Sequence, residues 1–129
     1  MNIDVYRTEL CKLSYSNNNN RKNYVFISNI NTDCQCCIDY SGINVFITFR
    51  GTTTLDDWKH DADTRTINPQ DNIRIHKGFY DQYMSVKNEI YRAIRNIHTA
   101  NIYISGHSLG GALAYVCACL LYTSDAADE

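Results

Sequence analysis

The sequence predicts an α/β fold in one domain, because three observations agree. Three β-type runs come first, an amphipathic helical pattern follows, and a short β run then leads through a glycine-rich turn into a helix-forming segment. A length of 129 residues, with 44% hydrophobic and 20% charged residues, fits a single globular domain. We therefore expect a mixed sheet with helices packed against it.

The three β-type runs are rich in Val, Ile, Phe and Tyr and comprise Tyr24 to Ile30, Gln35 to Tyr40 and Ile43 to Phe49. Their short polar connections predict antiparallel neighbours. Before them, the apolar residues of Asn2 to Tyr15 have nearly helical spacing, and the polar tract Ser16 to Asn23 predicts a surface loop.

The segment from Arg50 to Gln70 is polar and predicts a long loop, with one helical turn at Leu55 to Asp61. A short strand is expected at Ile73 to His76. Apolar residues then recur at helical steps, which predicts an amphipathic helix from Phe79 to Ile97; these residues are Phe79, Tyr83, Val86, Ile90, Ile94 and Ile97.

The composition excludes several classes of protein. Twelve basic and fourteen acidic residues without a basic stripe make nucleic acid an unexpected partner. No apolar run reaches the roughly 18 residues of a membrane helix, and the amino terminus lacks the features of a secretory signal. We expect no integral membrane segment and, by default, a cytoplasmic location.

Six cysteines are predicted to be free thiols. The segment Cys34-Gln35-Cys36-Cys37 has residue types found in metal sites, but no second cysteine pair or histidine cluster stands at zinc-like spacing. Burial of small, polarisable cysteine side chains on a strand explains this segment better than metal binding does. Neither a metal nor a cofactor is predicted.

The final β run, Asn101 to Ser105, enters the pattern Gly106-His107-Ser108-Leu109-Gly110, which precedes a helix-forming segment. This G-x-S-x-G pattern is typical of a sharp strand-to-helix turn that presents a nucleophilic serine. Ser108 is thus the candidate nucleophile. The Leu109 N–H, at the positive end of a helix, is a candidate oxyanion donor. A glycine-rich turn without chemistry is the alternative.

A second oxyanion donor is expected after another strand. Arg50-Gly51-Thr52 follows the hydrophobic strand that ends at Phe49, and Gly51 allows a close approach of backbone to ligand. Thr52 can offer a backbone N–H and a hydroxyl.

Four motifs together resemble the class 3 lipases, the fungal triacylglycerol lipase family of α/β-hydrolases. They are Phe49-Arg50-Gly51-Thr52, Asp57-Trp58, His76-Lys77-Gly78-Phe79 and Gly106 to Ala114. The resemblance runs from about Val25 to Ala118. It implies the amino-terminal part of an α/β-hydrolase, with a mixed sheet and a nucleophile elbow at Ser108. It also implies that Thr52 and Leu109 form the oxyanion hole and that Thr53 to Thr66 is a lid.

The implied activity is hydrolysis of acyl-glycerol or other carboxylic esters through an acyl-serine intermediate, without a cofactor. The resemblance places the catalytic Asp and His after residue 129, so we expect the chain alone to be inactive. The histidines present are predicted to be structural or exposed; they are His60, His76, His98 and His107. Alternatives are an acyltransferase or thioesterase on the same scaffold, or a non-catalytic lipid-binding or interaction protein.

The lid segment contains few apolar side chains and many charged ones. We therefore expect a preference for soluble or monomeric esters, with at most transient contact between the lid and a lipid surface. A second hypothesis pairs Arg50 with Asp57 or Asp61 at the base of the lid.

The last segment, residues 119–129, resembles one reading frame of a transposase sequencing adapter. On this interpretation residues 1–118 are an incomplete lipase-like domain and residues 119–129 are a non-native tail.

Overall fold

A computed structural model of the protein describes residues 2, 24–50, 65–70, 72–95 and 101–128, with side chains as far as Leu121. The predicted amino-terminal helix and asparagine-rich loop, and the predicted turn at Leu55 to Asp61, lie outside these residues. Eight elements follow in chain order: β1 (Tyr24–Asn29), β2 (Cys34–Ser41), β3 (Asn44–Phe49), β4 (Thr66–Gln70), β5 (Ile73–His76), α1 (Lys77–Arg95), β6 (Asn101–Gly106) and α2 (Leu109–Asp128).

The main sheet is mixed, with the strand order β1-β2-β3-β6. The pairs β1–β2 and β2–β3 are antiparallel, whereas β3 and β6 run parallel, with Phe49 opposite Gly106. Parallel neighbours need a crossover connection, and α1 lies in that connection. The predicted mixed sheet and its antiparallel first half are confirmed.

Strand β3 is central in this sheet and is buried on both faces from Val45 to Phe49. Its alternate residues Val45, Ile47 and Phe49 belong to the main hydrophobic core. A nearly continuous apolar run is what a strand covered on both sides requires. The carboxyl end of β3 is therefore held rigidly, next to the end of β6.

Helix α1 packs the predicted apolar stripe against the sheet. Tyr83, Val86 and Ile90 are fully buried, and the Tyr83 ring lies 6.5 Å from the Phe49 ring, measured between centroids. The helix begins at Lys77, two residues before the predicted start, and its described part ends at Arg95. Neither helix in the described part of the chain is long and apolar enough to cross a membrane.

One element differs from the prediction. The end of the expected long loop, Thr66–Gln70, forms strand β4, which pairs with β5 in a separate two-stranded sheet. Asn72 adopts φ +69°, a left-handed conformation that suits a tight connection. A register shift between Ile67 and Gln70 accommodates Pro69, which cannot donate to a ladder.

Helix α2 starts directly after Ser108 and is longer than the predicted segment. Its buried side chains include Leu113, Val116 and Cys117, which join the main core. The backbone is helical through Asp128. The boundary proposed between residues 118 and 119 stays a prediction.

The described cysteines are all free thiols, and four of them are buried: Cys34, Cys36, Cys37 and Cys117. Burial raises the pKa of the Cys34 and Cys117 thiols to about 12 from an ordinary 9.0, and it also raises the pKa of Cys36. Desolvation of the thiolate is the main cause, and the nearby Asp33 carboxylate adds to it for Cys34. These thiols act as small core side chains.

We expect the protein to lose stability in alkali through these thiols. Below about pH 9 the thiols are protonated in both states. Above it the unfolded thiols ionise while the buried ones keep their protons, so the free energy of unfolding falls by up to about 1.4 kcal/mol per thiol per pH unit. Urea unfolding at pH 8 and pH 10.5 measures this fall. Cys117→Ala should reduce the fall, and an unchanged fall in that variant would contradict the assignment.

Candidate active site

The turn between β6 and α2 presents Ser108 to solvent. Strand β6 ends at Gly106 and α2 begins at Leu109, so only His107 and Ser108 make the turn. Ser108 has φ +59°, in the left-handed region that non-glycine residues rarely adopt, and its side chain is exposed. A strained, exposed serine at the start of a helix is the geometry of a nucleophile elbow.

Two glycines make this turn sterically possible. A Cβ atom on Gly106 would overlap the Gly110 carbonyl oxygen and lie 2.8 Å from the Gly111 nitrogen. A Cβ atom on Gly110 would overlap the Phe49 carbonyl oxygen and lie 3.0 Å from the Arg50 carbonyl carbon. All of these are backbone atoms, so they cannot give way cheaply. The steric need for small residues on both sides of Ser108, inferred from the sequence, is present in the structure.

The first turn of α2 closes tightly behind the serine. The Gly110 N–H donates to the His107 carbonyl oxygen at 3.0 Å, and the Gly111 N–H donates to the Ser108 carbonyl oxygen at 3.0 Å. Leu109, half-buried, is the first residue of the helix, where backbone N–H groups have no acceptor within the helix and the helix dipole is positive. The candidate donor predicted from the sequence thus lies directly beside the candidate nucleophile.

The elbow contacts the end of β3, where the predicted oxyanion loop begins. Gly110 packs directly against the peptide that joins Phe49 to Arg50. Thr52 and most of the predicted lid, through residue 64, lie outside the described residues, so their roles stay predictions. The Phe49–Arg50 backbone that leads into them is nevertheless packed against Gly110, two residues after Ser108.

Arg50 is held by a partner that the sequence did not reveal. Its backbone N–H donates to the Gln35 carbonyl oxygen at 3.0 Å, and its Nη1 donates to the Gln35 Oε1 at 2.9 Å. Asp57 and Asp61, the partners expected from the sequence, lie outside the described residues. The antiparallel register, with Cys36 opposite Phe49, places Gln35 opposite Arg50. That register was the signal that could have identified Gln35.

Two of the four histidines are described. His76 ends β5, and its ring meets the Phe79 ring edge to face, with centroids 6.1 Å apart. This contact fits the structural role predicted for the His76-Lys77-Gly78-Phe79 motif. His107 is exposed beside Ser108. His60 and His98 lie outside the described residues.

A groove of about 340 Å³ lies between β6 and α2 and adjoins the elbow. Its wall includes Ser105 and Gly106 on the strand and Gly111, Ala114 and Tyr115 on the helix. Within the described parts of the chain, His, Cys, Asp and Glu side chains form no group of three or more that could hold a metal ion.

The mixed sheet and the strained serine between a strand and a helix define an α/β-hydrolase. Residues 46–128 match the family model described as Lipase (class 3). The chain therefore belongs to the class 3 lipases, a family of lipid ester hydrolases.

Individual relatives agree with this assignment. The chain is 33% identical to a lipase of Rhizomucor miehei over an alignment of 84 residues that covers 60% of this chain and 23% of that protein. It superposes on the structure of Rhizomucor miehei triacylglyceride lipase with a TM-score of 0.76 at 24% identity, over 93% of this chain and 54% of the other. Another similar structure is that of a triacylglycerol lipase whose catalytic centre is a triad of the serine-protease type; its TM-score is 0.63 at 28% identity, over 78% of this chain and 41% of the other. The chain thus spans about half, or less, of the length of these proteins.

Proposed function

We propose that the protein hydrolyses acyl-glycerol or other carboxylic esters through an acyl-serine intermediate on Ser108. The observation that carries the proposal is the backbone of Ser108, which has φ +59° and is exposed between β6 and α2. A left-handed backbone costs stability at a serine and would cost none at a glycine, and such strained residues cluster at active sites. The retention of this strain at Ser108 therefore supports a role for its side chain.

In the first step, the Ser108 Oγ attacks the ester carbonyl carbon while a histidine base takes the hydroxyl proton. The Leu109 N–H, together with an N–H from Thr52, would donate to the carbonyl oxygen as it becomes negative. Collapse of this intermediate breaks the ester bond, and the histidine returns the proton to the departing alcohol. Water then cleaves the acyl-serine by the same steps and releases the acid.

The catalytic partners of Ser108 are inferred from a structural relative. One structural relative uses a triad of the serine-protease type, and we propose that a histidine and a carboxylate act on Ser108 in the same way. The expectation that both follow residue 129 in sequence stays a prediction. The complete gene product is therefore the right material for activity measurements.

We expect a burst when the complete gene product is mixed with p-nitrophenyl butyrate. One equivalent of nitrophenol should appear rapidly, because acylation of Ser108 precedes the slower attack of water. Stopped-flow absorbance measures the burst. Adding an alcohol acceptor in the same assay separates hydrolysis from acyl transfer, since a transferase would convert the acyl group mainly into a new ester. Absence of any nitrophenol release, with binding of lipid vesicles retained, would favour a non-catalytic lipid-binding protein instead.

A further inference from the structure

We propose that Gln35 is a positioning residue for the reaction: through Arg50 it fixes the end of β3, against which the nucleophile elbow is packed. This inference rests on the proposed function. It adds a residue from β2, on the far side of β3 from the strand that carries the elbow.

Gln35 contacts Arg50 twice, once through the backbone and once through the side chain. The backbone bond, from the Arg50 N–H to the Gln35 carbonyl oxygen at 3.0 Å, extends the β2–β3 ladder one pair beyond the end of β3. The side-chain bond, from Arg50 Nη1 to Gln35 Oε1 at 2.9 Å, links the same two residues a second time. A hydrogen bond from a charged donor is stronger than a neutral one, and both residues are half-buried. Arg50 is thus held at two points where the regular strand has already ended.

The peptide that joins Phe49 to Arg50 in turn contacts the elbow at Gly110. The Gly110 Cα lies so close to the Phe49–Arg50 peptide that even a methyl group would not fit between them. The first turn of α2, with Leu109 and the preceding Ser108, therefore rests on this peptide. If the peptide moves, the candidate nucleophile and the candidate oxyanion donor must move with it.

Gln35 is itself anchored to the turn between β1 and β2. Its Nε2 donates to Asp33 Oδ1 at 3.3 Å, in the turn between β1 and β2. That turn is bound to α1, because Thr32 Oγ1 and Ser85 Oγ lie 2.8 Å apart and Gln82 Nε2 donates to the Thr32 carbonyl oxygen at 3.3 Å. Gln35 therefore connects a turn fixed on α1 to the peptide that supports the elbow.

Catalysis is sensitive to small displacements of a nucleophile and its oxyanion donors, and a shift of about 1 Å can cost 100-fold in rate. Substrate binding depends less on the same geometry. Loss of the Gln35 side chain should therefore lower kcat more than it changes KM.

The test uses the complete gene product with three single variants. We expect Gln35→Ala to lower kcat about tenfold and to change KM less than about twofold. Gln35→Glu keeps the acceptor for Arg50 but loses the donor to Asp33, so it should lower kcat less than Gln35→Ala does. Asn44→Ala is the matched control: it removes an amide that accepts a hydrogen bond from Asn101 Nδ2 at 3.1 Å, at the opposite end of β3, and it should leave kcat within about twofold. Equal kcat for Gln35→Ala and the control would overturn the proposal.

A double-mutant cycle with Arg50→Ala tests the route through Arg50. If Gln35 acts through Arg50, adding Gln35→Ala to Arg50→Ala should cause no further loss of kcat. Two independent, additive losses would overturn this route.

Amide hydrogen exchange provides a readout that does not need activity. Gln35→Ala should speed exchange of the Arg50 and Gly110 amides several-fold relative to the control, and unchanged exchange would overturn the proposal. If the wild-type protein shows no ester hydrolysis, the proposed function fails, and the exchange rates still decide whether Gln35 holds the elbow.

Discussion

Replacing Ser108 with alanine is expected to lower kcat for ester hydrolysis by at least about 10⁴-fold while the fold is retained. The loss is large because the Oγ forms the covalent bond to the acyl group, and no neighbouring group can replace it in that geometry. Initial rates with p-nitrophenyl butyrate measure the loss, and circular dichroism monitors the fold.

Two further variants separate the chemistry from the backbone strain. Ser105→Ala removes a hydroxyl from β6 only three residues away, and it should leave kcat within a few-fold. Ser108→Gly should be as inactive as Ser108→Ala but more stable by about 1 kcal/mol, because glycine adopts the observed φ of +59° without steric cost. Full activity in either Ser108 variant would contradict the assignment of the nucleophile.

The second large effect is expected for Gly110→Ala. The added methyl group would overlap the Phe49 carbonyl oxygen and approach the Arg50 carbonyl carbon to 3.0 Å. Since both contacts are with backbone, either α2 or the end of β3 must shift. We expect a loss of about 1–3 kcal/mol in the free energy of unfolding and of about 100-fold in kcat. Urea denaturation and steady-state kinetics measure the two effects.

Gly111→Ala is the matched control for this change. Its methyl group would meet the Gly106 carbonyl oxygen at 3.4 Å, which is ordinary van der Waals contact. Alanine also favours a helix by about 1 kcal/mol relative to glycine, so this variant should be no less stable than the wild type. Similar losses in the two variants would show that the close approach of Gly110 to β3 is not what constrains the elbow.

Much of the fold was predictable because its elements carry strong local patterns. The three β-type runs, the apolar stripe that includes Tyr83, Val86 and Ile90, and the strand-turn-helix order around Ser108 depend on periodicity and turn chemistry within short windows. The steric reason for Gly106 and Gly110 could likewise be stated from the motif before their contacts were known.

Two features were not predicted, for different reasons. Strand β4 was missed because Pro69 and the polar residues around it are unusual in a strand, although Asp71-Asn72 between two β-forming stretches was a turn signal. The contact of Gln35 with Arg50 follows from strand register, which a single sequence specifies only weakly for residues at strand ends. A glutamine beside two cysteines carried no local sign of a role near the elbow.

The most direct test of the account is to locate the covalent adduct formed by a fluorophosphonate. Such a reagent reacts with a serine activated by a base and an oxyanion hole, and it mimics the tetrahedral intermediate. After reaction with the complete gene product, peptide mapping by mass spectrometry should find one equivalent of phosphonate on the peptide containing Ser108, and none in Ser108→Ala. An adduct on another residue, or ester hydrolysis that survives without any adduct at Ser108, would contradict the account.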